Sequence, residues 1–237
     1  MRSSGRKSRT AMSASLEARI AALEEAAHQE KVASENTWIL LTATIVFLMQ
    51  YGFALLESGM CRKNNVTATY TKNMLDATLG TIVCVVFGYK IAYGVSPASC
   101  SLPYDWEDNS VIEEATRVCA GFFHHLVFQA TAATIVSGAM AERTTILAYS
   151  VLSCFISGIP FSLAVRWTWG GGWLAERGFH DFAGGTVVHV VGGAAAMAGV
   201  VVVGPRDGRY DPRRFYEFMP HDVSSVMSGS LVLWVGW

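Results

Sequence analysis

Asp181-Phe-Ala-Gly-Gly-Thr-Val-Val-His189-Val-Val-Gly-Gly-Ala-Ala-Ala-Met-Ala-Gly-Val-Val-Val-Val203 is a polar start followed by an apolar run broken by a single imidazole. Spanning hydrocarbon as a helix takes about 20 residues, and 182–203 meets that length. Working outward, comparable runs occupy 37–56, 74–93, 117–140 and 145–165. A sixth, shorter one covers 223–237 and is still apolar at Trp237, which reads as a break inside a span of a longer protein. The expected fold class is therefore all-α, a polytopic helical membrane protein whose immediate surroundings are a lipid bilayer.

Composition agrees. Hydrophobic residues make up 51% of the 237 and charged residues 16%, against about 25% charged in soluble domains. A net charge of -1 argues against a nucleic-acid partner. The cysteines Cys61, Cys84, Cys100, Cys119 and Cys154 form no CxxC pair and read mainly as small buried residues, although Cys100 and Cys119 flank one loop and could pair.

Ahead of the first span, residues 1–12 read as a disordered basic tail. Residues 13–33 read as an amphipathic helix, with Leu16, Ile20, Leu23 and Ala27 on one stripe. That helix is either a short coiled coil or a solvated single helix. The domain division expected is a tail over 1–36 and a membrane domain over 37–237.

Loop charge sets orientation. Loops 61–73, 141–144 and 204–221 carry Arg62, Lys63, Lys72, Arg143, Arg206, Arg209, Arg213 and Arg214, whereas loops 95–116 and 166–181 carry only Arg166 and Arg177. The first set should face the cytoplasm and the N-terminus the outside. The sequon Asn65-Val-Thr67 then faces inward and stays unglycosylated.

Ionisable groups inside a bilayer are costly and mark function by default. Glu57, Asp76, His124, His125, Asp181 and His189 are such groups, and the polar amide of Gln129 joins them as a candidate. His189 either braces a neighbouring helix or faces a pore. His124 and His125 are adjacent, so they point about 100° apart, and at least one should line a cavity. No HxxxH or HxxE spacing suggests a metal, and no cofactor is implied. Asp181 can cap the helix that follows it and also organise a cation site. Trp167, Trp169 and Trp173 read as an interfacial belt, with Trp169 before Gly170-Gly171-Gly172 also placed to offer a ring face to a small cation.

Together, four blocks resemble the Amt/Mep/Rh ammonium transporter family, on its Amt branch, from about residue 38 to residue 237. They are Phe53-Ala-Leu-Leu-Glu-Ser-Gly-Met60 with Arg62 and Asn64-Asn65, then Lys72-Asn-Met-Leu-Asp-Ala77, then Ala132-Ala-Thr-Ile-Val-Ser-Gly-Ala-Met-Ala-Glu-Arg143. The fourth is Trp169-Gly-Gly-Gly172 with Asp181 and His189. The resemblance implies the first five-helix inverted repeat of that fold plus the start of a sixth span, a homotrimer, and ammonium or ammonia as the solute. It implies that Trp169 lines an outer ammonium site, that Phe128 caps the pore, that Asp181 organises recruitment, and that His189 is the first of two pore histidines.

Three departures stand out. His125 falls where relatives usually carry Gln, and His124 near a common aromatic, which bears on proton handling in the pore. The second pore histidine and second gating phenylalanine would lie beyond Trp237. The helix at 13–33 is not a family feature. Competing readings are an ammonium sensor, an inert fragment, and an intramembrane enzyme, for which no catalytic constellation is visible.

Overall fold

The computed structural model describes residues 2–95 and 109–237. Among them the chain is helical, without strands, and it divides into two units, Met1–Ile39 and Leu40–Trp237. The division falls three residues beyond the expected 36/37 boundary.

Helix α1 runs Arg2–Met60. It begins inside the segment expected to be a disordered tail. That segment holds no proline and one glycine, so nothing in it forbids a helix. In the first unit Leu16, Ile20 and Leu23 are exposed. Surface pairs at four-residue spacing support the helix locally, with Ser13 donating to Glu17 and Gln29 to Glu25.

In the second unit, a 3-10 turn at Lys63–Asn65 leads into α2 (Val66–Val83), a widened π turn (Cys84–Gly88) and α3 (Tyr89–Tyr93). Gly94 ends α3 with φ 77°. Next come α4 (Asn109–Met140), α5 (Ile146–Ile156), a π turn (Ser157–Phe161) and α6 (Ser162–Trp167). Pro160 sits in that second π turn. A proline supplies no N–H, and the widened turn is how the helix continues past it. Ser162 Oγ donates to the Ser157 carbonyl at 3.3 Å. The short α7 (Trp173–Glu176) precedes a third π turn (Gly185–Val190) and α8 (Val191–Val203). A 3-10 stretch (Pro212–Phe218) leads to α9 (Val223–Gly236), capped by Asp222.

Among the described residues, five helical stretches have the length and apolarity to cross a membrane: Met12–Met60, Lys63–Tyr93, Val111–Met140, Ile146–Trp167 and Gly185–Val203. The protein is a multi-pass helical membrane protein. Helix α4 packs against α8 and α2, α2 against α5, and α3 against α6. Lipid offers no hydrophobic drive between helices, so small residues that admit close backbones do this work. A Cβ on Gly192 would come within 2.9 Å of the Ala132 carbonyl, and one on Gly229 within 2.6 Å of the Gly52 carbonyl.

One expectation needs correcting. The second span starts at Lys63, not near Met74, so Lys72 is no loop charge. It is 5% exposed, and its Nζ donates to the Ser137 carbonyl and hydroxyl, each at 3.1 Å. A polar stripe of Lys72, Asn73 and Asp76 lowers the hydropathy of α2, yet all three are buried against protein. Lys63 and Lys72 both fall inside the second span and Arg166 inside the fourth, so the loops compare as six basic residues (Arg62, Arg143, Arg206, Arg209, Arg213 and Arg214) against one (Arg177).

The arginine-bearing loops are tied together by Glu142, whose side chain is 1% exposed. It accepts from Arg62 N (2.9 Å) and Nε (3.1 Å), from Asn65 Nδ2 (2.6 Å) and from Arg206 Nη1 (2.7 Å). These bonds hold it at φ 61°, a left-handed backbone uncommon outside glycine. The sequon amide of Asn65 is thereby engaged. Burial alone would raise the Glu142 carboxyl, but the four donors outweigh it and hold it at about 2, below its ordinary 4.5. A depressed carboxyl stabilises the fold above its ordinary value, and that contribution fades as pH falls from 4.5 towards about 2. Thermal unfolding followed across that range should show Glu142→Gln less stable than the unaltered protein near neutrality. The difference should shrink as acid protonates Glu142; a constant difference would contradict the account.

Cys61, Cys84 and Cys154 are free, and Cys119 is disulfide-bonded. Cys100, and the acidic residues Asp105, Glu107 and Asp108, lie outside the described residues.

Candidate functional site

Asp181 is 8% exposed and its carboxylate is fully used by backbone. Oδ1 accepts from Gly184 N at 2.9 Å, and Oδ2 from Thr186 N at 2.8 Å and Val187 N at 3.0 Å. These amides open the third π turn, where no residue of the same helix can serve them. Gly184, at φ 87°, makes the reversal.

Trp169 is fixed from the same residue, its Nε1 donating to the Asp181 carbonyl at 2.7 Å. The glycines after it are required by space. A Cβ on Gly170 would meet the Ala92 carbonyl at 2.5 Å, and one on Gly172 the Arg166 carbonyl at 2.4 Å. The half-buried indole stands edge-on to Phe128, centroids 5.7 Å apart. His124 lies 4.6 Å from Phe128 and 6.2 Å from Trp169. Trp167 and Trp173 are a separate pair at 6.1 Å, more exposed than Trp169.

Phe128 also borders a cavity of about 260 Å³ shared by Met49, Thr131, Val188, His189 and Trp237. His189 lies within the π turn, half-buried, its ring 4.5 Å from that of Trp237. Phe128 thus touches both the aromatic cluster of Trp169 and His124 and the cavity that His189 borders, and Asp181 clamps the start of the turn that carries His189.

His125 is elsewhere. It is fully buried, with Tyr89, Tyr93 and Phe161 around it at 5.2 to 5.4 Å. Neither ring nitrogen has a hydrogen-bond partner among the described residues, and the residue does not line the His189 cavity. The aromatic box around His125 was not foreseen. Nor does His124 line that cavity; it packs against Phe128, which does. Trp169, Phe128, Asp181, His189 and His124 thus lie together, and His125 fills an aromatic box. Among the described residues no group of three or more His, Cys, Asp or Glu side chains could hold a metal.

Sequence reading named Glu57 and Asp76 but not their joining through Lys72, which it placed in a loop. Asp76 accepts from Tyr149 and Ser153, each at 2.7 Å, and Glu57 accepts from Ser137 at 2.8 Å. Lys72 and Asp76 stand four apart on one helix, a spacing that places them on one face. That was the available signal.

The model of the Ammonium Transporter Family matches residues 37–237. Ammonium transporter Amt2 of Archaeoglobus fulgidus is 36% identical over 211 residues, covering 84% of this chain and 45% of its own. Ammonium transporter Amt2 of Haloferax mediterranei is 35% identical over 206 residues, with the same two shares, 84% and 45%. Among solved structures, a "Sensor Amt Protein" superposes with a TM-score of 0.75 at 33% identity, over 87% of this chain and 53% of that one. Mep2 of Candida albicans gives 0.67 at 27% identity, over 85% and 46%. The chain spans about half the length of the relatives it matches.

Proposed function

Because the chain belongs to the ammonium transporter family, we propose that it serves the passage of ammonium across a membrane, drawing the cation to Trp169 and delivering nitrogen past Phe128 to His189. The observation that carries this reading is that Phe128 on α4 contacts both Trp169 and the cavity that His189 borders.

Stripping water from a cation in an apolar lumen is far costlier than a few contacts return. An indole face offers about 0.5–2 kcal/mol towards that cost. Neutral ammonia then crosses apolar surface cheaply, provided its proton is taken separately. An imidazole suits that task because it titrates near neutrality and each ring nitrogen can take a different role. Potassium has no proton to give up, so the same arrangement discriminates against it. We place the protein in the plasma membrane with its N-terminus outside, on the loop-charge asymmetry, and read the assembly as a homotrimer on the family resemblance. Residues 1–36 are then an outer appendage to the transport domain 37–237.

Uptake of labelled methylammonium by cells that lack their own ammonium uptake and express this protein tests the reading. Saturable uptake that ammonium competes away supports it. Tight ammonium binding with no uptake would favour a sensor instead. Trp169→Leu should raise the apparent half-saturation concentration by about two- to thirtyfold, the range a cation–π contact can supply. An unchanged value would leave Trp169 a packing residue.

A further inference from the structure

On the side of the second unit that bears Arg143 and Arg206, a separate cavity of about 330 Å³ is lined by Glu57, Cys61, Gly138, Arg143 and Arg206, among others. It shares no lining residue with the His189 cavity.

The Glu57 side chain is 7% exposed. Its Oε2 is occupied, accepting from Ser137 Oγ at 2.8 Å and Asn73 Nδ2 at 3.3 Å and lying 3.9 Å from Lys72 Nζ. Its Oε1 is buried and has no partner among the described residues. That oxygen lies on the Gly138 side, where a Cβ would come within 3.7 Å of it. Arg143 lines the same cavity. Its Nη1 is spent on the Gly204 carbonyl, and its buried Nε–H has no partner among the described residues. One cavity thus holds an unused acceptor and an unused donor.

Behind Glu57, Lys72 lies between two carboxylates. Asp76 has both oxygens taken by hydroxyls, from Tyr149 and Ser153. The other charged or titratable groups nearby are Arg206, neutralised by Glu142, and the Cys61 thiol. With both carboxylates ionised, the buried Glu57–Lys72–Asp76 group carries one excess negative charge. A buried charge without a hydrogen-bonded ionic partner is expensive at such a place, and Arg143, the cation on the same cavity, is bonded to the Gly204 carbonyl and not to Glu57. The oxygen free to take a proton is Glu57 Oε1.

We propose that this cavity is a hydrated port through which Glu57 exchanges a proton with water on the arginine-bearing side. A water occupies about 30 Å³ and needs two to four polar partners. The cavity has room for several, and Glu57 Oε1 and Arg143 Nε–H supply anchors at its wall. Hydronium in the port gives its proton to Oε1, leaving water and a neutral carboxyl, and the buried group becomes neutral overall. The reverse step returns the proton to water. The port stands on these residues alone and does not depend on the transport reading.

Difference infrared spectroscopy of the whole chain in lipid, with pH stepped, tests it. A carbonyl band of a protonated carboxyl should grow as pH falls, shift in D2O and be absent from Glu57→Gln. Gly138→Val places a side chain beside Oε1; the band should remain while its shift in D2O slows by about tenfold or more. No such band, a band that D2O leaves unmoved, or one that persists in Glu57→Gln overturns the proposal. Should Glu57→Gln fail to fold, Gly138→Val decides, and an unslowed shift there also overturns it.

Discussion

Replacing His189 by alanine is expected to reduce methylammonium uptake by about a hundredfold or more, the scale on which a positioned proton-transfer group contributes. The ring is half-buried beside Trp237 and borders the cavity under Phe128. Removing it takes away the group there that can accept a proton from the solute. The competing role is bracing, in which the ring only packs between helices. Bracing would appear as lost stability, of order 1–3 kcal/mol for a truncated and partly buried side chain, with uptake per folded molecule retained. Uptake normalised to folded protein, alongside thermal unfolding, separates the two. Retained normalised uptake would end the pore role for His189.

Asp181→Ala is expected to be the most damaging change in stability and to abolish uptake with it. A helix cap is worth about 1 kcal/mol, and up to about 2. Each buried amide left without an acceptor costs about 1–3 kcal/mol more. Asp181 serves three amides at once, so the loss should exceed that of an ordinary cap. The turn it holds also presents the carbonyl that fixes Trp169, so the aromatic cluster should loosen with it. Asp181→Asn keeps one acceptor oxygen and should fall between. Unfolding temperature and tryptophan emission report the two effects. A variant matching the unaltered protein in both would refute the clamp.

The spans were legible because a run near 20 apolar residues has few alternatives in a chain this poor in charge. The start of the second span was not. Lys72 looks like a loop residue to a hydropathy reading, and only its partners on α1 and α4 explain its burial. Within the site, Trp169, Asp181 and His189 could be grouped by their nearness in sequence; that Asp181 holds both the Trp169 indole and the turn carrying His189 could not be read there. Spacing could not sort His124 from His125. Adjacency says the two diverge, but which of them meets Trp169 and which meets Tyr89, Tyr93 and Phe161 depends on elements distant in sequence. The three tryptophans divide likewise by packing, not by composition.

The three widened turns make one further demand on the gene. Each holds an extra residue relative to a regular helix, so a one-codon deletion at Cys84–Gly88, Ser157–Phe161 or Gly185–Val190 would mend the hydrogen-bond ladder. It would also swing everything downstream by about 100°. At the third turn the glycines and alanines that let α8 nest against α4 would rotate out towards lipid, and valines would be driven into their place. Substitution is therefore the open route by which these stretches can drift, and length there should be held more tightly than identity.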